Sequence, residues 1–299
     1  MCGNGPAPVH YYLSNIVQGN LENTTEILRN EEYEQRLATT MIPISLSETV
    51  PLTQGFEANV KILLPPDQPS PSTPRSLPVL LKVYAGPGTE VAMATDEFLI
   101  GIEQYLVTSR NYAVVTIDGR GCTNRGWNYR SAFYGALGTV EIDDQIEGIR
   151  QVIKRYPFLD ANRLSVYGWS YGGYAAALLP ERAFESFFKC AVCVAPVANF
   201  LYYDATYTER YMGNADNSAY NSADISRNVE HFKKTRLLLV HGLYDDNVHF
   251  QNTAMFMEAL QENNIDFDVM VYSNQDHQIS QRQHLCHKMA SFLDQCAKN

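Results

Sequence analysis

The chain has 299 residues, of which 45% are hydrophobic and 19% charged, and it carries a formal net charge of -10. That composition describes a globular protein with ample core, and the negative balance argues against nucleic acid or an anionic membrane surface as a partner. No run of 18 or more apolar residues occurs, so no segment reads as a bilayer span and no membrane contact by this chain is expected.

Taken from the start, residues 1–8 have neither a basic nor an apolar region and do not read as a secretory signal. Residues 23–37 are polar and Glu-rich, which predicts a surface helix, and Asn23-Thr24-Thr25 fits a glycosylation acceptor. Residues 57–64 alternate polar and apolar side chains as a half-buried strand does. Six prolines between 65 and 78 remove too many backbone donors for a sheet, so that stretch reads as an exposed loop.

Beyond it, strands and helices alternate. Residues 79–83 are a continuous apolar strand, Phe98, Ile102 and Tyr105 or Leu106 keep a helical period, and 113–117 is a second buried strand. Ile142, Ile146, Ile149 and Ile153 recur at helical spacing. Further strands are expected at 164–167, 190–194, 237–240 and 267–272, with helices near 255–260 and over Leu285, Met289, Phe292 and Cys296. Apolar strands alternating with helices predict a mostly parallel sheet covered on both faces, with its chemistry at the strands' carboxyl ends.

One such end carries Gly168-Trp169-Ser170-Tyr171-Gly172 between a strand and a run of small, helix-compatible residues. A Gly-x-Ser-x-Gly stretch in that setting forces a sharp turn with the serine at its tip and aims the next amide, from Tyr171, at an oxyanion site. A serine hydroxyl needs a base, and the base an orienting carboxylate, which follow here in the order acid then histidine. The loop after 237–240 offers Asp245 and Asp246, between which spacing does not choose, and the loop after 267–272 offers His277. His241 and His249 sit beside the acid and not after it, so they are poorer bases. The six cysteines are read as scattered, with no zinc site among them, and His284 and His287 share a helix face without a third ligand. No metal or cofactor is expected.

Several longer blocks carry a resemblance: Gly-Trp-Ser-Tyr-Gly-Gly-Tyr from Gly168, Val194-Ala195-Pro196-Val197, Tyr202-Tyr203-Asp204, residues 207–213, Asp118-Gly119-Arg120-Gly121, Asp144-Gln145-Ile146-Glu147, and Asp245-Asp246-Asn247-Val248-His249-Phe250. In order and over nearly the whole chain, these resemble the dipeptidyl peptidase IV branch of the prolyl oligopeptidase family. The resemblance implies an α/β-hydrolase fold with Ser170 as nucleophile, Asp245 as acid and His277 as base. It puts the Tyr84 hydroxyl beside the Tyr171 amide in the oxyanion hole. Val197, Phe200, Tyr203 and Tyr207 would line the pocket for the residue before the cut, Arg210 and Asn247 would hold the preceding carbonyl, and Val248 would also contact substrate. It also implies a disulfide between Cys190 and Cys296, peptide substrates, an extracellular or cell-surface parent protein and a homodimer in the full-length form.

The implied reaction is release of N-terminal dipeptides after proline or alanine through an acyl-enzyme. The other readings are a small-ester hydrolase on the same fold and a catalytically impaired homologue acting as an interaction module. Phe200 stands where the family has tryptophan, which should enlarge or soften the pocket, and Gln278 stands where glycine is usual, which should crowd the base loop. The family's β-propeller is not recognisable. Cys2-Gly3-Asn4-Gly5-Pro6 resembles its end, so residues 1–50 are expected to be a propeller remnant and linker, and 51–299 the hydrolase domain. The sequence is accordingly expected to be a C-terminal piece or a truncated gene model. The propeller's amine-gripping glutamate pair has no evident counterpart, Glu31-Glu32 lying in the linker, so poor and unselective peptidase activity is expected of this chain alone.

Overall fold

A computed structural model describes residues 11–67, 76–87, 94, 101–183 and 186–298. Its centre is an eight-stranded sheet of order β10-β9-β8-β7-β5-β6-β4-β3. The strands are β3 (Ile44–Pro51), β4 (Glu57–Leu64), β5 (Leu77–Val83), β6 (Ala113–Asp118), β7 (Leu159–Trp169), β8 (Cys190–Val194), β9 (Arg236–Gly242) and β10 (Asp268–Tyr272). The run from β6 through β5 and β7 to β10 is parallel, and β4 and β3 close the other edge antiparallel. The boundary expected at residue 50 falls inside β3, which pairs with β4 along its whole length.

Helices cover both faces, as the buried runs of the inner strands require. On one face lie α4 (Val140–Arg155), α5 (Tyr171–Ala183) and α8 (Gln251–Glu262), with Ile142, Ile149, Ala176 and Phe256 in its core. On the other lie α2 (Ile102–Arg110) and α9 (Arg282–Lys298), which bury Leu106, Leu285, Met289 and Phe292. The short helices α3 (Trp127–Arg130), α6 (Ala205–Met212) and α7 (Asn217–Ser222) sit in the connections. This is an α/β-hydrolase fold. Its strand order reverses at β5: the chain leaves β5 for β6 on one side, then crosses back to β7 on the other. The crevice where ligands bind in open α/β sheets is therefore between the carboxyl ends of β5 and β7.

The N-terminal expectation needs correction. Residues 23–37 are not one helix: β1 (Tyr11–Val17) and β2 (Asn20–Leu28) form a separate antiparallel hairpin, and only α1 (Glu31–Ala38) is helical. Asn30 marks the boundary, its side chain accepting from the Tyr33 amide at 3.2 Å as an N-cap does. The hairpin exposes Leu13, Ile16, Leu21 and Ile27 to more than half of their area. The proline loop ends two residues early: Pro78 is already the second residue of β5, where it sits at an irregularity in the pairing with β7. Phe98, Cys2 and much of the proline loop lie outside the described residues.

Cys190 and Cys296 are disulfide-bonded with Cα atoms 6.2 Å apart, tying β8 to α9. Cys190 and Cys193 do have Cys-x-x-Cys spacing, which the reading of scattered cysteines passed over. Both lie in β8, where three residues' separation turns them to opposite faces, Cys190 against α9 and Cys193 into the other core.

Candidate active site

β7 passes into α5 through one turn, and Ser170 sits on it with φ of +62°, a left-handed conformation unusual for a residue with a side chain. Serine is held there because its neighbours leave no other path. A Cβ on Gly168 would stand 2.0 Å from the Gly172 carbonyl oxygen, and one on Gly172 would stand 2.4 Å from that of Val83. Glycine at both positions lets β5, β7 and α5 approach this closely. The Ser170 amide donates to the Val194 carbonyl at 2.8 Å, which fastens the tip to β8. The first-turn amides of α5, Tyr171 among them, have no acceptor within the helix, and a helix N-terminus of this kind favours negative charge.

Across the switch point Tyr84 follows β5, half-buried, with its ring 6.2 Å from that of Tyr171. Burial, helped by Tyr211, pushes its hydroxyl above the ordinary tyrosine range, so it remains a hydrogen-bond donor at neutral pH. The Tyr171 ring is anchored from below: its hydroxyl donates to Glu141 Oε1 at 2.8 Å, and that carboxylate also receives the Gly138 and Thr139 amides. Burial pushes the Glu141 carboxyl up despite these bonds. Glu141 was not singled out from the sequence, where it reads as one more acid at the start of an amphipathic helix.

The two candidate acids separate cleanly. Asp246 is exposed, whereas Asp245 is buried and its Oδ2 lies 2.7 Å from Nδ1 of His277. Oδ1 accepts from the Asn247 and Val248 amides at 3.0 and 2.8 Å, and Oδ2 also meets Nε2 of His241 at 3.1 Å. Burial pushes the Asp245 carboxyl up, but the hydrogen bonds from His241 and His277, the charge of His277 and the Asn247 amide outweigh it and hold the group well below the usual carboxylate range. The His277 carbonyl accepts from the Trp169 indole at 3.1 Å, so the base loop is fastened to the residue next to Ser170. Among the described residues Ser170 Oγ makes no hydrogen bond, to His277 or to any other group. The crowding expected of Gln278 does not occur: its side chain is exposed and its amide caps Asp276.

The remaining side chains expected at the site fall into two groups. Tyr203 and Tyr207 meet edge to face with centroids 5.2 Å apart, and Tyr207 meets Tyr211 in the same way at 4.7 Å. Asp204 caps α6 by accepting from the Tyr207 amide, which fixes this pair, and the Tyr203 hydroxyl donates to Asn247 Oδ1 at 2.8 Å. Burial first, then Asp204, Tyr84 and Asp245, push the Tyr203 hydroxyl up to about 12. Arg210 and Asn247 are exposed. Val197, Phe200 and Val248 are almost wholly buried. Phe200 packs behind the site, 6.1 Å from the Tyr171 ring and 5.1 Å from Tyr174. Val248 serves the site through its amide on Asp245. Asn252, also not anticipated, shapes the segment around Val197 by accepting from the Ala198 amide at 2.9 Å.

Outside this cluster, His284 is engaged by the Tyr272 hydroxyl, and among the described residues no group of three or more metal-ligating side chains occurs. No helix among them is long and apolar enough to cross a membrane.

Comparison with known proteins gives the same direction. The sequence pattern of the prolyl oligopeptidase family matches residues 99–299. Dipeptidyl peptidase family member 1 of Caenorhabditis elegans is 44% identical over 297 residues, which is 98% of this chain and 37% of that protein. Venom dipeptidyl peptidase 4 of Apis mellifera is 38% identical, again over 98% of this chain and 37% of the relative. The crystal structure of Porphyromonas gingivalis dipeptidyl peptidase 4 superposes with a TM-score of 0.81 at 34% identity, covering 90% of this chain and 38% of that one. The chain thus spans a little over a third of the length of the relatives it matches.

Proposed function

This chain belongs to the prolyl oligopeptidase family, and from that premise we propose that it is the hydrolase part of a serine-type dipeptidyl peptidase. Ser170 Oγ attacks the carbonyl carbon of the scissile bond while His277 takes its proton through Nε2. Asp245 holds the His277 ring by Nδ1 and stabilises the imidazolium that forms. Negative charge gathers on the carbonyl oxygen, where the Tyr171 amide and the Tyr84 hydroxyl donate to it. His277 then protonates the departing amine, leaving an acyl-enzyme on Ser170 that water hydrolyses by the same route. The observation that carries this reading is a buried carboxylate paired at 2.7 Å with a histidine whose loop is bonded beside a serine in strained backbone.

For the substrate we propose peptides with proline or alanine before the cut. The edge-to-face pair Tyr203 and Tyr207 offers flat apolar walls to a pyrrolidine ring, and the exposed Arg210 and Asn247 are proposed to hold the preceding carbonyl. The hydrolase unit is proposed to run from β3 to the last helix, with the hairpin and α1 preceding it. A disulfide between β8 and α9 supports an oxidising, extracellular setting, and a homodimer is proposed for the full-length form.

The test is to treat the 299-residue chain with a fluorophosphonate probe and map the adduct, then to assay Gly-Pro amides with free and acetylated amino termini and a short acyl ester. Adduct at Ser170 with Gly-Pro turnover supports the reading. Turnover of the ester alone assigns a small-ester hydrolase instead, and absence of labelling removes both. Equal turnover of free and acetylated peptides would show that this chain lacks an amine anchor of its own, as the exposed Glu31 and Glu32 on α1 suggest.

A further inference from the structure

Asp245 has more partners than a catalytic acid requires. A carboxylate offers about four lone-pair sites, and here two backbone amides occupy Oδ1 while two imidazoles share Oδ2. The second imidazole belongs to His241, near the end of β9 and wholly buried. Its Nε2 faces only acceptors, Asp245 Oδ2 at 3.1 Å and the Val248 carbonyl at 2.8 Å, so that nitrogen must carry a proton. Its Nδ1 lies 2.7 Å from the Thr253 hydroxyl of α8, which can donate to it, and Phe250 meets the ring edge-on with centroids 5.6 Å apart. Each side of the ring is therefore fixed.

We infer that His241 is a positioning residue of the reaction: protonated on Nε2 by the arrangement of its partners, it competes with His277 for Asp245 Oδ2 and so sets both the orientation of the acid and its grip on the base. The inference rests on the roles proposed above for Asp245 and His277. A core histidine satisfied by its surroundings would make the same Thr253 contact. What it would not do is share one oxygen atom with the general base.

The consequence has a sign. Donation from His241 draws charge from Oδ2 and weakens that oxygen as an acceptor for His277. Without it, Asp245 holds the protonated His277 more tightly, and the base form needed for attack on the carbonyl is reached only at higher pH. Among the described residues the titratable groups that face Asp245 are His241 from β9, His277 from the loop after β10 and Tyr203 from the segment before α6. Of these, Tyr203 titrates far above the range in question.

The experiment follows the fluorophosphonate labelling rate of Ser170 against pH in the full chain, in His241→Phe and in His241→Gln, whose amide can replace the Nε2 donor. The expected result for His241→Phe is an acidic limb moved up by about half to one pH unit, with the plateau about tenfold lower, consistent with loss of one donor to an anion. His241→Gln is expected to return the limb to its original place. A folded His241→Phe whose limb superimposes on that of the unsubstituted chain overturns the inference, because a purely structural role lowers the plateau without moving the limb. Imidazole 15N spectra of the unsubstituted chain give an independent reading that needs neither labelling nor a stable variant. His241 protonated at Nε2 with Nδ1 bare supports the inference, and the opposite tautomer overturns it. A chain that is never labelled refutes the proposed function, while the 15N spectra still decide the placement of the His241 proton.

Discussion

Gly172→Ala tests whether the serine's geometry is held by contact between backbones. The added Cβ would stand 2.4 Å from the Val83 carbonyl oxygen and 3.1 Å from the Tyr84 Cα. Carbon and oxygen rest no closer than about 3.3 Å, so α5 and the end of β5 must part by about 0.9 Å. Neither side can yield by turning a rotamer, because both contacts are backbone. The displaced groups are the Tyr171 amide, on the helix that moves, and Tyr84, directly after the strand that moves. Both proposed oxyanion donors shift together, and misplacement by about 1 Å costs on the order of 100-fold in rate. Overpacking should also cost about 1–3 kcal/mol of stability, or several degrees in Tm. Gly126→Ala is the control: its φ of +84° strains an alanine, but nothing lies within 4 Å of the added carbon. Thermal unfolding and the fluorophosphonate labelling rate are measured on both. The expected pattern is destabilisation in each and loss of labelling in Gly172→Ala alone. Labelling of Gly172→Ala at the unsubstituted rate would refute the argument that close approach positions the site.

Reduction of the Cys190–Cys296 bond, or its replacement by two alanines, opens a loop spanning 106 residues of sequence. The chain-entropy relation gives a loss of about 5 kcal/mol; urea unfolding with and without reductant measures it, and unchanged midpoints would count against any stabilising role. Tyr84→Phe removes one proposed oxyanion donor and should lower kcat about 100- to 1000-fold with little change in KM, so a change confined to KM would assign Tyr84 to substrate binding instead. Asp245→Asn has a defined pH signature. The folded carboxyl lies below its unfolded value, so its contribution to stability is present above about pH 4 and fades as pH falls further. The variant should therefore be less stable at pH 7 and approach the unsubstituted chain in acid, and a stability difference independent of pH would show that the carboxylate's charge is not what matters.

How much of this was legible in the sequence depends on the range of the forces involved. The inner strands were readable because burial on both faces demands continuous apolar runs, as in residues 190–194, which coincide with β8; β4 was readable instead from the alternation over 57–64. The elbow was readable because glycines and serine must alternate where three backbones meet. The hairpin β1–β2 was not. Its residues bury almost nothing, so polarity and glutamates gave a helical reading, and only cross-strand pairing, such as Ser14 with Thr24 at 2.8 Å, makes it a sheet. β3 does carry a period of two in Ile44, Leu46 and Val50, a signal obscured by its polar neighbours.

The site shows the same division at finer scale. Asp245 and Asp246 are identical in type and adjacent, and no spacing argument separates them; what separates them is that the turn after β9 buries one and spends two amides on it. His241 was discounted because it stands on the wrong side of the acid for a base. That argument is sound for proton transfer and irrelevant to holding a carboxylate, since Asp245 needs only a donor within reach, from either direction along the chain. A motif fixes which groups can exchange protons, whereas the number of donors on the acid is set by how β9, α8 and the loop after β10 pack around it. The strength of the base is thus decided partly by residues that no catalytic motif names, and His241 is where this chain lets that be measured.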